Sequence, residues 1–335
     1  MTKKTSYKDA GVDIAAGEEA VDRIKKMVRS TFSPHVLSDL GKFGGFFAPD
    51  LYGYKKPVFV SSIDGVGTKL KVAFLMGKHD TVGEDLVNHC INDILAGGAR
   101  PLFFLDYIGT GKLSPAVMEE IVTGMVRGCK QAGCALIGGE MAEMPGFYQA
   151  GEYDVAGCIV GLVDENRIID GSDIHKGDLL IGLPSNGLHT NGYSLARKIL
   201  FEDAGYQVET YIDELGMTIG EALLQVHTCY LPVISPLLET HGIRGLSHVT
   251  GGGIIGNTQR ILPEGRMLSI DWNSWEILPI FRLIQKSGMV SDEEMHRAFN
   301  LGIGFICIVD AGKSDSVLQA LRDSGAKPVI IGQVG

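Results

Sequence analysis

The chain has 335 residues, 45% of them hydrophobic and 21% charged, with 45 glycines and a formal charge of −10. That length and apolar content suit a globular protein of two ordinary domains, and the acidic balance excludes the basic footprint that a sequence-independent grip on nucleic acid needs. No apolar run is long enough for a bilayer, the opening residues lack the apolar stretch of a secretory signal, and the six cysteines form no C-x-x-C pair, so a cytoplasmic protein with reduced core thiols and no membrane partner is expected.

Residues 1–17 read as a polar, glycine-containing arm. Val21, Ile24, Met27 and Val28 then mark one face of a helix over 13–31, with Lys25 and Lys26 beside it. Glycines and Pro49 punctuate 37–51, which reads as a loop with a short hairpin. Pro57 to Val60 begins a strand that ends at Asp64, and 83–97 is a helix stopped by Gly97-Gly98. A buried strand is expected over 101–108, a helix over 114–132 opened by Ser114-Pro115, a short strand over 135–137, and another strand over 153–163.

The polar, turn-rich residues 164–172 suggest a boundary, giving domains 1–166 and 167–335. The second half starts with a strand over 178–183. Helices are expected around 193–204, 218–230, 254–262 and 277–288, and strands around 245–249, 267–270, 303–309 and 328–331. The fold class is α/β or α+β, two domains with a mixed sheet and flanking helices in each.

Four segments carry candidate chemistry. The first follows the strand at 57–60: Asp64, Gly65, Gly67, Thr68 and Lys69. A carboxylate can hold a hard cation, glycines let backbone N–H groups come close, and a lysine supplies positive charge, an order that suits a nucleotide polyphosphate. It is not a Walker A loop, because Thr68 precedes Lys69 and the glycines are two apart. A capped turn between strand and helix fits the same residues.

The second is Gly138-Gly139-Glu140, where two glycines permit close approach to a ligand. Asp64, Asp93 and Glu140 lie on different elements and suit Mg²⁺ if the fold gathers them; otherwise they are caps and solvated faces. The third is the polar turn Ser185-Asn186-Gly187-Leu188-His189-Thr190-Asn191, feeding a helix in the manner of an anion site. The fourth is His248-Val249-Thr250-Gly251-Gly252-Gly253. Gly251, Gly253 and Gly256 match G-x-G-x-x-G, but the helix that follows is short for a dinucleotide crossover and the fingerprint lies late in the chain.

Taken in order, eight segments resemble the phosphoribosylformylglycinamidine cyclo-ligase (AIR synthetase) family: Tyr7 to Ile14, Ser61 to Lys71, Asn92 to Leu95, Pro101 to Tyr107, Gly138 to Gly146, His189 to Ser194, His248 to Gly253 and Phe299 to Gly304. The resemblance implies ATP-dependent closure of formylglycinamidine ribonucleotide to aminoimidazole ribonucleotide, with ATP and Mg²⁺. It also implies a homodimer whose N-terminal domains, here 1–166, pair through their sheets and bind ATP, with a layered α/β C-terminal domain. On this likeness Lys25, Asp64, Gly65, Thr68, Lys69, Gly138, Gly139 and Glu140 contact the nucleotide. Asp64, Asp93 and Glu140 are the metal candidates, and Asp64, Asp93 and His189 the catalytic ones. Ser185, Asn186, His189, Asn191, His248 and Gly251 face the phosphorylated ribonucleotide substrate.

The chain departs from the family pattern at Ala15, Glu18, Lys42 and Met141, which bears on individual nucleotide contacts. A related ATP-using enzyme, of thiamine-phosphate kinase or selenophosphate synthetase type, is the alternative reading.

Overall fold

The computed structural model describes residues 6–239 and 242–335. Residues 1–5 of the expected arm lie outside this range; Lys8–Ala10 is a single 3₁₀ turn, and α1 (Ile14–Arg29) starts earlier than the arm was expected to end. Ala20, Ile24 and Val28 form the buried stripe of α1, as the helical spacing requires. In β1 (Pro57–Gly65) exposure alternates along the strand, the mark of one-sided packing.

There follow α2 (Leu70–Met76), α3 (Val82–Ala96), β2 (Arg100–Thr110), α4 (Pro115–Ala132), β3 (Ala135–Glu143) and β4 (Tyr153–Asp164). Pro115 opens α4 at its first turn and Gly133, in left-handed backbone at φ 68°, closes it. The strands form one sheet in the order β1-β4-β2-β3, with β2 and β3 parallel. β3 runs on through Gly138-Gly139-Glu140, where a strand ending before a loop was expected. Pairing with β2 persists as far as Thr110, and a bulge absorbs the extra residue Ile137.

The second half carries β5 (Leu179–Pro184), α5 (Tyr193–Arg197), which widens into a π turn over Lys198–Asp203, and a hairpin of β6 (Tyr211–Ile212) and β7 (Met217–Thr218). Then come α6 (Ile219–Leu223), α7 (Leu231–Ile234), β8 (Ile243–His248), α8 (Gly253–Thr258), β9 (Leu268–Ile270), α9 (Pro279–Gly288), α10 (Asp292–Ala298), β10 (Ile303–Val309), α11 (Ser314–Asp323) and β11 (Val329–Val334). The sheet order is β8-β10-β5-β11-β9, and every neighbouring pair is antiparallel. Parallel pairing, expected in each half, is seen here in the first sheet. β10 is buried along its whole length, which accounts for its unbroken apolar run. Ile306 and Ile308 of β10 meet Leu180, Ile254 and Ile331 in the core of this half.

A helix was expected over 218–230. Thr218 and Glu221 do cap its start reciprocally, but α6 ends at Leu223. The backbone beyond is claimed by side chains: Asn186 Nδ2 donates to Val226 O (2.7 Å), Asn92 Nδ2 to Thr228 O (2.8 Å), and Tyr230 N to Asn92 Oδ1 (2.9 Å). Those bonds satisfy the main chain without a helical ladder.

Two compact units result. One comprises Met1–Gly53, Ser61–Cys90 and Pro101–Gly161; the other comprises Tyr54–Val60, Ile91–Arg100 and Leu162–Gly335. Among the described residues no helix is long and apolar enough to cross a membrane.

Candidate functional site

In the first unit, β1 delivers Asp64 to the point where the strand stops. Gly67, at φ 65°, turns the chain into the Gly67–Lys69 3₁₀ turn that leads to α2. Asp64 Oδ1 accepts from Gly65 N at 3.0 Å, and Oδ2 lies 2.9 Å from His89 Nε2. The Asp64 side chain keeps 38% of its surface exposed, whereas His89 is buried. Thr68 is exposed beside it. Lys69, expected at a phosphate, is instead fully buried with its ammonium 2.8 Å from Asp85 Oδ1. Its ammonium is thus turned to a buried carboxylate and away from solvent.

The same unit holds a groove of about 620 Å³ between α1, residues 39–45 and the start of β3. Ile24 and Val28 form one wall, and Lys42, Asp106, Gly138 and Glu140 are among its other lining residues. Lys25 follows Ile24 on α1 and is half-buried. Glu140 sits in register with Tyr107 of β2 and is exposed. A Cβ at Gly139 would lie 2.1 Å from Asp106 Oδ1, so only glycine lets β3 pass this carboxyl. Burial pushes the Asp106 acid up to about 7, and the Glu140 charge adds to the rise. Asp106 was missed from the sequence because it reads as one polar residue inside an apolar strand. Met141 and Lys42, two of the departures from the family pattern, both line this groove.

β1 and β3 are the two edges of the four-stranded sheet. Three inter-strand steps separate them, about 14 Å at the usual strand spacing. Asp64 and Glu140 are therefore not gathered within one copy of this unit. Their oxygens are hard donors reachable by solvent, so the donor chemistry fits Mg²⁺, and the groove with its bare glycine floor fits a nucleotide.

In the second unit, the turn after β5, the segment after α6 and the end of β8 bring histidines together. His189, in the turn after β5, adopts left-handed backbone (φ 60°) and is 1% exposed. Such backbone is uncommon outside glycine, though His is among the residues that tolerate it. Its ring stacks on His227, with centroids 4.0 Å apart and planes 21° apart. His227 Nε2 lies 3.0 Å from His248 Nε2, and His248 Nδ1 lies 2.8 Å from Asp93 Oδ1. Thr190 Oγ1 lies 3.3 Å from His227 Nδ1.

The protons on this chain follow from its end. The Asp93 carboxylate can only accept, so His248 donates from Nδ1; in its neutral form it accepts at Nε2. His227 must then donate from Nε2, which leaves its Nδ1 to accept from the Thr190 hydroxyl.

The surrounding turns are held by their own polar side chains. Ser185 Oγ lies 2.9 Å from Asn300 Oδ1 and 3.1 Å from Gly187 O, with one proton to share between them, and Asn186 Nδ2 donates to Val226 O, so both of these substrate candidates already serve the turn. Asn191 Nδ2 is buried with no hydrogen-bond partner among the described residues, and a Cβ at Gly251 would touch Asn191 Oδ1 at 3.4 Å. An orphaned buried amide beside a glycine turn is a ready donor for a ligand oxygen. The structure thus joins Asp93, His189 and His248 through His227, a residue that gave no signal in the sequence because it fell inside an expected helix.

Comparison with known proteins gives the following. Residues 53–163 match the family described as AIR synthase related protein, N-terminal domain, and residues 175–335 match AIR synthase related protein, C-terminal domain. The chain is 52% identical over 331 residues to phosphoribosylformylglycinamidine cyclo-ligase of Alkaliphilus metalliredigens, covering 99% of this chain and 95% of that protein. It is 52% identical over 332 residues to the enzyme of the same name from Syntrophotalea carbinolica, with the same coverage. Among solved structures, thiamine-monophosphate kinase from Stenotrophomonas maltophilia superposes with a TM-score of 0.68 at 16% identity, covering 95% of this chain and 93% of that one. Hydrogenase maturation protein HypE in complex with ATP superposes at 0.67 and 18% identity, covering 97% and 88%. These two likenesses establish the shared fold.

Proposed function

The chain belongs to the phosphoribosylformylglycinamidine cyclo-ligase family, ATP-dependent C–N bond-forming enzymes of purine biosynthesis, and from that premise we propose how its own residues divide the work. The substrate is formylglycinamidine ribonucleotide and the product aminoimidazole ribonucleotide. ATP phosphorylates the formyl amide oxygen, turning a poor leaving group into phosphate. The ribose-bearing nitrogen then attacks the same carbon, the C–O bond breaks, and a proton leaves the nitrogen. Phosphoryl transfer asks the protein for alignment and charge neutralisation. Ring closure is intramolecular, so holding the substrate folded contributes up to roughly 7–11 kcal/mol.

The groove beside Gly138-Gly139 takes the nucleotide, with Lys25, Gly65 and Thr68 as further contacts. Asp64 and Glu140 would hold Mg²⁺, which neutralises triphosphate charge when bound. Asp93 is committed on one oxygen to His248 and acts on the histidine side. His189 is the histidine we assign to the proton of the attacking nitrogen, and the Asn191 amide and the turn at Gly251 bind the ribonucleotide. The observation that carries this assignment is the unbroken chain from Asp93 through His248 and His227 to the face of His189. Residues 1–166 then serve nucleotide binding and dimerisation, and residues 167–335 the second substrate, in a cytoplasmic enzyme.

The sheet supports a homodimer. Both its edges, β1 and β3, belong to one layer, and β1 leaves Phe59 and Ile63 largely exposed. A second copy that covers those side chains and continues the sheet would bring Asp64 of one copy toward Glu140 of the other. The direct test mixes purified protein with ATP, Mg²⁺ and formylglycinamidine ribonucleotide. Aminoimidazole ribonucleotide and ADP should appear together. ATP turnover that ignores this substrate but follows thiamine phosphate or selenide would instead support the alternative activities.

A further inference from the structure

We infer that His227 is a positioning residue for His189, holding that ring by face-to-face contact while it is itself pinned by His248 and Thr190. The inference rests on the assignment of His189 as the reacting histidine and goes beyond it, since it names the group that fixes the ring.

Both nitrogens of His248 are engaged, Nδ1 by Asp93 and Nε2 by His227. His248 therefore presents no bare nitrogen to a substrate; its geometry serves to aim His227. His227 is wholly buried, and both of its nitrogens also have partners, so its ring plane is set from two sides. What remains to it is its face, and that face lies 4.0 Å from His189 at a tilt of 21°.

His189 needs such a support. It sits in left-handed backbone at a turn, a conformation that persists only where its surroundings over-determine it. Thr228 N lies 3.4 Å from its Nε2, at the long end for a hydrogen bond. On a further side, Gly304 leaves just enough room: a Cβ there would fall 2.5 Å from His189 Cε1. The ring is thus confined between the His227 face and the β10 backbone. A displacement of the order of 1 Å at a reacting group can cost about a hundredfold in rate, so a ring that fixes another ring has a kinetic consequence.

Two substitutions separate the face from the volume. His227→Phe keeps a flat ring, and His227→Leu keeps bulk without one. Each is compared with the unsubstituted full chain by thermal melt, by kcat and KM for formylglycinamidine ribonucleotide, and by the NMR position of the His189 Cε1 proton. His227→Leu should lower kcat by at least about tenfold, with KM changed less than kcat, and should shift the His189 resonance as the neighbouring ring current is removed. His227→Phe should lose less than the Leu variant. An unmoved His189 resonance in folded His227→Leu overturns the positioning role whatever the rate. Equal losses in both variants would do the same. If the Leu variant does not fold, the Phe variant decides: a kcat fall as large as that of His189→Ala overturns the inference, and a smaller one supports it. Full activity in His189→Ala would instead remove the assignment of His189, and the resonance would still report whether His227 holds the ring.

Discussion

Lys69 Nζ lies 2.8 Å from Asp85 Oδ1, and neither side chain retains any solvent-exposed surface. Burial pulls the lysine below its ordinary range, and the contact with the aspartate opposes that pull. Lys69→Met should destabilise the protein by about 3–5 kcal/mol, since it strands a buried carboxylate. Adding Asp85→Leu should recover most of that loss. Urea melts of the single and double variants check it; a double variant no better than the single would show that the pair does not act as a unit.

Asp106 gives a pH dependence with a definite sign. Its acid is raised from 3.8 to about 7 by burial, so above pH 4 the unfolded chain ionises first and binds fewer protons. Stability is lost as pH rises from about 4 through about 7. Asp106→Asn removes that term. Its advantage over the parent in denaturant melts should be small at pH 4, grow to pH 7 and then level off. A flat difference across this range would mean that the acid is not held neutral.

Asp64→Asn keeps the shape of β1 and removes the charge that faces His89 and the proposed metal. Turnover should fall by at least about a hundredfold, the scale of losing one group that stabilises transition-state charge. The thermal melt should stay close to that of the parent, because the side chain is partly exposed. Near-normal turnover in this variant would withdraw Asp64 from the metal.

Ile63 is 72% exposed on an edge strand, an arrangement that isolated chains rarely tolerate. If a second copy covers it, Ile63→Arg should shift the sedimentation equilibrium toward monomer and lower ATP turnover with it. A species distribution indistinguishable from the parent would place the dimer interface elsewhere.

Much of the fold was legible because it follows from periodicity. The stripe of α1, the cap and stop of α4 and the apolar run of β10 each declare themselves within a window of a dozen residues. The helix expected over 218–230 failed for a reason no window contains: Asn92 and Asn186, distant in sequence, take the backbone groups that a helix would have used. Gly138-Gly139 looked like a loop because glycine weakens a strand, yet parallel pairing with β2 carries β3 straight through them. Of the candidate site residues, Asp64, Glu140, His189 and His248 were recognisable because acids and histidines beside strands and turns are scarce enough to notice, and Asp93 because it stands on the polar side of a helix. Lys69 was noticed as well, and burial with Asp85 gives it another task.

Sequence alone determined which residue types stand at which turns, and through them the family, because local chemistry and order along the chain are written in the residues themselves. Only the tertiary structure decided which of those residues meet. His227 became the link between Asp93, His248 and His189, and Asp106 an acid raised by burial beside a groove, because proximity and burial are produced by packing between segments that share no neighbourhood in the chain.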